Sequence, residues 1–189
     1  MPRVIAGQYK GRVIQAPPGD KTRPTTDKVK EALFLIIKTR VPGARVLDIF
    51  SGSGQIAIEA LSRGADRAVL VERNGRACAV IRDNLGKIGI AEEEAYLMRM
   101  NALDALTLLG KKGEVFDIIY MDPPYKEAKA QAAALASVIA RDDLLSEDGL
   151  LIVEHSKEDD VAGATEDLEF FRSCSYGLTV ITFFKRVNK

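Results

Sequence analysis

The 189-residue chain predicts a doubly wound α/β fold, and two observations carry that prediction. From Arg45 onward, short apolar runs alternate with amphipathic helical stretches, the pattern of a parallel sheet covered by helices on both faces. The last two apolar runs, 169–175 and 178–186, are separated only by Tyr176-Gly177. That is too little chain for a crossover helix, so these two strands must pair antiparallel and close the sheet with a hairpin. Five strands of the alternating part and two of the hairpin make a seven-stranded sheet.

The elements follow in order. Residues 3–15 read as a small hairpin, with 3–6 and 12–15 flanking Gly7-Gln8-Tyr9-Lys10-Gly11. Pro17-Pro18-Gly19-Asp20 breaks structure, and Arg23-Pro24-Thr25-Thr26 leads into a helix with Thr25 or Thr26 as N-cap. Val29, Leu33, Ile36 and Ile37 form its apolar face, Lys28 and Lys30 point elsewhere, and Pro42-Gly43 ends it. Then come a strand at 45–50, the loop Ser51-Gly52-Ser53-Gly54 and a helix at 55–63. A strand at 68–72 leads to a helix at 75–85, with Ala77, Ile81 and Leu85 inward. A third strand at 96–100 precedes a short helix at 102–109. A fourth at 116–121 runs into Asp122-Pro123-Pro124-Tyr125 and an alanine-rich helix at 127–141; a fifth lies at 150–154. No linker or repeat divides the chain. The expected organisation is a basic hairpin extension over 1–22 and one globular domain over 23–189.

Composition narrows the class. No apolar run approaches the roughly 18 residues of a membrane span, and the first residues lack the apolar stretch of a signal peptide. Cys78 and Cys174 stand far apart and there is one histidine, so neither a disulfide scaffold nor a zinc site is expected. A soluble cytoplasmic monomer is the expectation. The net charge of zero conceals an asymmetry. Residues 1–45 carry ten Lys/Arg against three Asp/Glu, a net of +7, and the remainder carries 17 against 24, a net of −7. A basic end of this kind suits a polyanion, and Arg3, Lys10 and Arg12 on the hairpin are candidate RNA contacts.

Ligands of open α/β sheets bind beyond the carboxyl ends of the strands. After the first strand, glycines at 52 and 54 let the backbone approach a ligand, while the preceding Asp48 suits an ammonium and would repel a phosphate. Glu72, ending the second strand, can accept both hydroxyls of a ribose. Asn101, ending the third, can hydrogen-bond an adenine edge or simply cap a helix. Together these outline a nucleoside carrying an amino acid: S-adenosyl-L-methionine has that composition, and NAD does not. In Asp122-Pro123-Pro124-Tyr125 two prolines remove backbone donors and hold the chain extended. The Asp122 carboxylate and the Pro123 carbonyl can then each accept one N–H of a base amino group, orienting its nitrogen toward an electrophilic methyl. Tyr125 offers a face for stacking the base. No cysteine follows the fourth strand in the manner of C5-pyrimidine enzymes, which favours direct methyl transfer. His155 and the two cysteines read as structural.

These residues resemble the RsmD-type methyltransferases, which methylate the N2 amino group of a guanine in 16S ribosomal RNA. The resemblance spans Arg3-Val4-Ile5-Ala6-Gly7 with Gly11-Arg12, the run Arg23-Pro24-Thr25-Thr26-Asp27-Lys28-Val29-Lys30-Glu31-Ala32-Leu33-Phe34, Leu47–Gly54, Glu59–Gly64 and Asp122–Tyr125. The Arg-Pro-Thr-Thr segment is the part most particular to the family. The resemblance implies a class I S-adenosylmethionine methyltransferase fold, Rossmann-like, using no metal and releasing S-adenosylhomocysteine. It implies that Asp48, Phe50, Ser51, Gly52 and Gly54 surround the methionine part of the cofactor. Glu72, with Arg73 beside it, would hold the ribose, Asn101 and Ala102 would border the adenine, and Arg23, Thr25 and Thr26 would fold over the ligand. Asp122, Pro123, Pro124 and Tyr125 would hold the guanine of 16S rRNA or of the small ribosomal subunit. Phe50 and Tyr125 depart from the Ala and Phe of some relatives without affecting the mechanism. Two alternatives stay open on the residues alone: adenine N6 methylation of DNA or RNA by the same Asp-Pro-Pro-Tyr box, and a non-catalytic RNA-binding assembly factor. Glutamine methylation is disfavoured, because that chemistry is associated with Asn where this chain has Asp122.

Overall fold

A computed structural model describes residues 1–18, 26–124, 128–163 and 166–187. The expected contacts of Arg23, Thr25 and Tyr125 therefore lie outside the described residues. The sheet is seven-stranded, as expected, and the chain divides into two compact units, Met1–Met100 and Asn101–Lys189.

The first unit contains α1 (Asp27–Ile36), β1 (Arg45–Ile49), α2 (Gln55–Ser62), β2 (Arg67–Val71), α3 (Gly75–Ile88) and β3 (Ala95–Met98). Its strands run in the order β3-β2-β1, all parallel, with Asp48 opposite Leu70 and Val71 opposite Met98. After their first residues β1 and β2 are buried throughout, as parallel strands covered on both faces must be. Thr26 caps α1 by accepting from the Val29 N–H, and the helix closes at Ile37, well before Pro42-Gly43.

The second unit contains α4 (Ala102–Lys111), β4 (Phe116–Met121), α5 (Ala128–Arg141), β5 (Leu145–Ser156), β6 (Leu168–Tyr176) and β7 (Thr179–Arg186). Its strands run β4-β5-β7-β6. The first pair is parallel and the other two antiparallel, so the closing hairpin forms as expected. It turns at Gly177, whose φ of 65° is the left-handed conformation that a tight turn requires. β5 begins five residues earlier than the apolar pattern marks. The polar stretch Ser146-Glu147-Asp148 disguises its outer end, where Leu145 pairs with Phe116 across a register shift. β6 ends the sheet and is blunted by a bulge between Phe170 and Arg172.

All eight residues of α2 are buried, including Gln55, Glu59 and Ser62. Their spacing of i, i+4 and i+7 sets them along one helix face, a stripe that would ordinarily face solvent. The N-terminal segment covers it. The Glu59 carboxylate accepts the N–H of Ile5 at 2.8 Å and of Ala6 at 3.1 Å, and pairs with Arg63 Nε at 2.8 Å. Ser62 donates its hydroxyl to the Ala6 carbonyl at 2.6 Å and accepts the Tyr9 N–H at 3.0 Å. A Cβ on Gly7, whose φ is +86°, would lie 1.8 Å from the Ser62 carbonyl oxygen. Arg3 and Val13 form an antiparallel bridge, so the expected hairpin is present in minimal form.

One expectation is corrected. Lys30 does not point to solvent: its side chain and that of Glu59 are both 0% exposed, 3.6 Å apart, and Lys30 Nζ also donates to the Arg3 carbonyl at 2.6 Å. A cation on the polar side of an isolated helix becomes interior once the N-terminal segment lies over it. Burial lowers the Lys30 pKa, with Glu59 and Asp27 opposing that shift. Removing one partner of a buried pair leaves the other uncompensated, so Glu59→Ala is expected to cost about 3–5 kcal/mol. Thermal unfolding should show this as a fall of about 10 °C.

Candidate active site

The site of the first unit is built on the turn from β1 into α2. Phe50 has φ +63°, a strained conformation for an aromatic residue, and Gly52 and Gly54 follow at +56° and +77°. These three left-handed residues curl the chain between strand and helix. Ser51 locks the start of the turn, donating its hydroxyl to the Asp48 carbonyl at 2.7 Å. A Cβ on Gly54 would meet Leu70 at 3.1 Å, whereas one on Gly52 would meet nothing within 4 Å, so Gly52 faces open space.

Asp48 and Glu72 approach this loop from beneath and beside it. Asp48 is 1% exposed, and its Oδ2 accepts the Ala57 N–H at 3.2 Å in the first turn of α2. Glu72, half-buried beyond β2, accepts the Gly52 N–H at 3.0 Å through Oε2 and the Asn74 N–H at 2.8 Å through Oε1. Each Glu72 oxygen retains a second lone pair for a hydroxyl. Burial raises the Asp48 carboxyl to about 7, with the Ala57 N–H opposing and Glu72 adding to the rise. A nearby cation would reverse that shift. Asn74, which the sequence reading did not single out, caps α3 by accepting from Arg76 and Ala77. Cys78 is buried behind Glu72 and donates to its carbonyl at 3.3 Å; burial followed by Glu72 raises its pKa, so it is a structural thiol. Arg73 is exposed beside Glu72, and Thr26 is occupied as the cap of α1. Arg3, Lys10 and Arg12 are exposed on the N-terminal segment, Arg3 lying 3.4 Å from Asp27.

In the second unit, Asn101 caps α4, accepting the Asp104 N–H at 2.9 Å, and Ala102 is the first helical residue. Asp122 follows β4 directly and is half-buried; Pro123 is buried and Pro124 exposed. Nearby on these strands the Tyr120 hydroxyl donates to the buried Glu154 carboxylate. His155 is buried, with Nδ1 against the Ser156 carbonyl and Nε2 against the Thr182 hydroxyl, both at 2.8 Å, which is a structural role. Cys174 is half-buried and touches Arg172, more open than its apolar pattern implies. Among the described residues no cluster of three or more His, Cys, Asp or Glu could hold a metal, and no helix is long and apolar enough to cross a membrane.

This combination of sheet and strand-end turn is the class I S-adenosylmethionine methyltransferase fold. The solved structure of yhhF from Escherichia coli, provisionally named as a methyltransferase, is 29% identical with a TM-score of 0.81, covering 100% of this chain and 99% of that one. The chain belongs to the RsmD-type methyltransferase family, whose profile, described as Conserved hypothetical protein 95, matches residues 2–185. It is 31% identical over 156 residues to Ribosomal RNA small subunit methyltransferase D of Escherichia coli K12, covering 82% of this chain and 75% of the relative. It is also 40% identical over 184 residues to YlbH of Bacillus subtilis, provisionally named as an rRNA methyltransferase, covering 97% and 98%.

The raised Asp48 carboxyl makes the ligand-free protein sensitive to pH. The folded state holds this proton more tightly than the unfolded chain, so the contribution of Asp48 to stability is fully present below about pH 4 and is lost as pH rises through about 7. Asp48→Asn is expected to gain about 2–4 kcal/mol over the parent at about pH 8 and almost nothing at about pH 4. Thermal unfolding at the two pH values measures the difference.

Proposed function

We propose that the chain transfers a methyl group from S-adenosyl-L-methionine directly to the N2 amino group of a guanine in 16S rRNA, acting as a cytoplasmic monomer on the RNA or on the small subunit. One observation carries the reading: a half-buried Asp122 and two prolines end an apolar strand of a chain in this family. The first-unit residues fit the cofactor. Gly52 leaves open space, Asp48 is a buried carboxylate whose ionisation a positive ligand would favour, and Glu72 keeps acceptors for two ribose hydroxyls. When bound, the cofactor supplies a methyl group on a positively charged sulfur.

The chain's own groups then have distinct tasks. Ser51, Gly52 and Gly54 shape the wall around the methionine part, with Phe50 holding the turn in its strained form. Glu72 orients the ribose, and Arg73 lies at its outer edge. The Asn101 carboxamide is committed to its helix cap, so the turn at Ala102 borders the adenine. Arg23, Thr25 and Thr26 cover the ligand from the N-terminal side. Asp122 and the Pro123 carbonyl accept the two N–H groups of the guanine amine, aiming its nitrogen and stabilising the positive charge that develops there. Pro124 keeps the segment extended, and Tyr125 stacks on a base that has left its helix. Residues 1–22 serve as an extension of the 23–189 domain, gripping phosphates through Arg3, Lys10 and Arg12.

The test is transfer from labelled S-adenosylmethionine to 30S subunits lacking the modification, followed by nucleoside mass analysis. N2-methylguanosine is expected; N6-methyladenosine would overturn the base assignment, and absence of transfer with the cofactor bound would overturn the substrate. Asp122→Ala is expected to lower turnover by roughly 10²–10³-fold with little change in cofactor affinity. Glu72→Ala is expected to weaken cofactor binding about tenfold or more by calorimetry. Charge reversal at Arg3, Lys10 and Arg12 should weaken RNA binding and flatten its dependence on salt, measured by titration at several ionic strengths.

A further inference from the structure

Asn84 lies on α3, has no role assigned above, and is 1% exposed with both ends of its carboxamide bonded. Its Oδ1 accepts the Gln15 N–H at 2.9 Å, while its Nδ2 donates to the Gln15 carbonyl at 2.9 Å and to the Ser53 carbonyl at 3.0 Å. Ser53 stands between Gly52 and Gly54, both in left-handed conformations. A loop with two such glycines has much backbone freedom to lose, so its geometry must be imposed by its neighbours. On one side Glu72 holds the Gly52 N–H at 3.0 Å. On the other the Ser53 carbonyl is held through Asn84, whose remaining bonds go to the N-terminal segment. A second tether runs parallel to it: Lys30 Nζ bridges the Gln55 side chain at 3.5 Å and the Arg3 carbonyl at 2.6 Å. The glycine loop is thus fastened toward both ends of the N-terminal segment.

We infer that Asn84 is a positioning residue that sets the shape of the glycine loop by tying it to the seated N-terminal segment, so that seating the segment and binding the cofactor are one linked equilibrium. The affinity part of this inference rests on the reading of the loop as the cofactor site. Linkage is reciprocal: an interaction that holds the segment in place tightens the loop around its ligand, and the ligand in turn favours the seated segment. Asparagine is required because the position needs one acceptor and two donors on a single short side chain.

The test uses the full chain with three substitutions: Asn84→Ala, Gln15→Pro, which removes one N–H from a residue whose side chain is exposed, and Gln15→Ala, which keeps the backbone bonds. S-adenosylhomocysteine affinity is read by calorimetry, and amide exchange at Gly52, Ser53 and Gly54 is read without ligand. Asn84→Ala is expected to weaken binding about tenfold and Gln15→Pro about threefold, with Gln15→Ala unchanged. The KM for S-adenosylmethionine should rise with Asn84→Ala while kcat stays within about twofold. Loop amides in Asn84→Ala should exchange about tenfold faster. A folded Asn84→Ala protein with parental affinity and parental loop exchange overturns the inference. If that variant does not fold, Gln15→Pro decides: parental affinity there overturns it equally. If the parent itself fails to bind S-adenosylhomocysteine, the cofactor reading falls, and loop exchange alone decides whether Asn84 positions the loop.

Discussion

A fully buried carboxylate, that of Glu59, sets the terms on which the first unit is assembled. An ionised group removed from water needs compensating donors on every side. Here they come from places far apart in the chain: the N–H groups of Ile5 and Ala6, the Lys30 ammonium on α1, and Arg63 at the end of α2 itself. Meeting this requirement brings the N-terminal segment and α1 onto α2. Ser62 continues the same seam and Gly7 lets the backbones meet without a side chain between them. Because α2 begins where the glycine loop ends, the groups that neutralise Glu59 also define the support of the loop.

The other buried carboxylate of this unit has the opposite character. Asp48 has one backbone donor and, in Glu72, a like charge nearby; burial holds its proton on up to about 7. Glu59 is a solved electrostatic problem, whereas Asp48 is left in tension. Phe50 adds backbone strain two residues further on. Tension and strain concentrated at one strand end, beside a glycine with open space before it, suit the positively charged ligand of the proposed function.

The sheet was legible because its signals are local. Alternating strands and helices, the short Tyr176-Gly177 connection, and the glycines after β1 report directly on the backbone, and the observed strands differ mainly at their ends. What escaped the sequence reading depends on contacts between distant residues. The Gln55, Glu59, Ser62 stripe and Lys30 have the spacing of solvated positions, and only the segment lying over them makes them interior. The long outer end of β5 hides in polar residues because Glu147 and Asp148 are both exposed there. Asn84 sits among the apolar residues of α3, and a polar residue at an inward position was the available sign of a buried hydrogen-bonding role. Asn101 carried two readings at once, and its geometry is that of the helix cap.

The seam between the N-terminal segment and α2 also orders events during synthesis. Ile5 is bonded to a residue 54 positions downstream and Gln15 to one 69 positions downstream. The N-terminal segment therefore finds these partners only after α2 and α3 have been made. Until α2 and α3 have emerged, this stretch lacks the face on which it docks. Contacts of such long sequence separation form late, because the intervening loop must close before they contribute. The segment that shares Asn84 with the glycine loop is thus made before that loop.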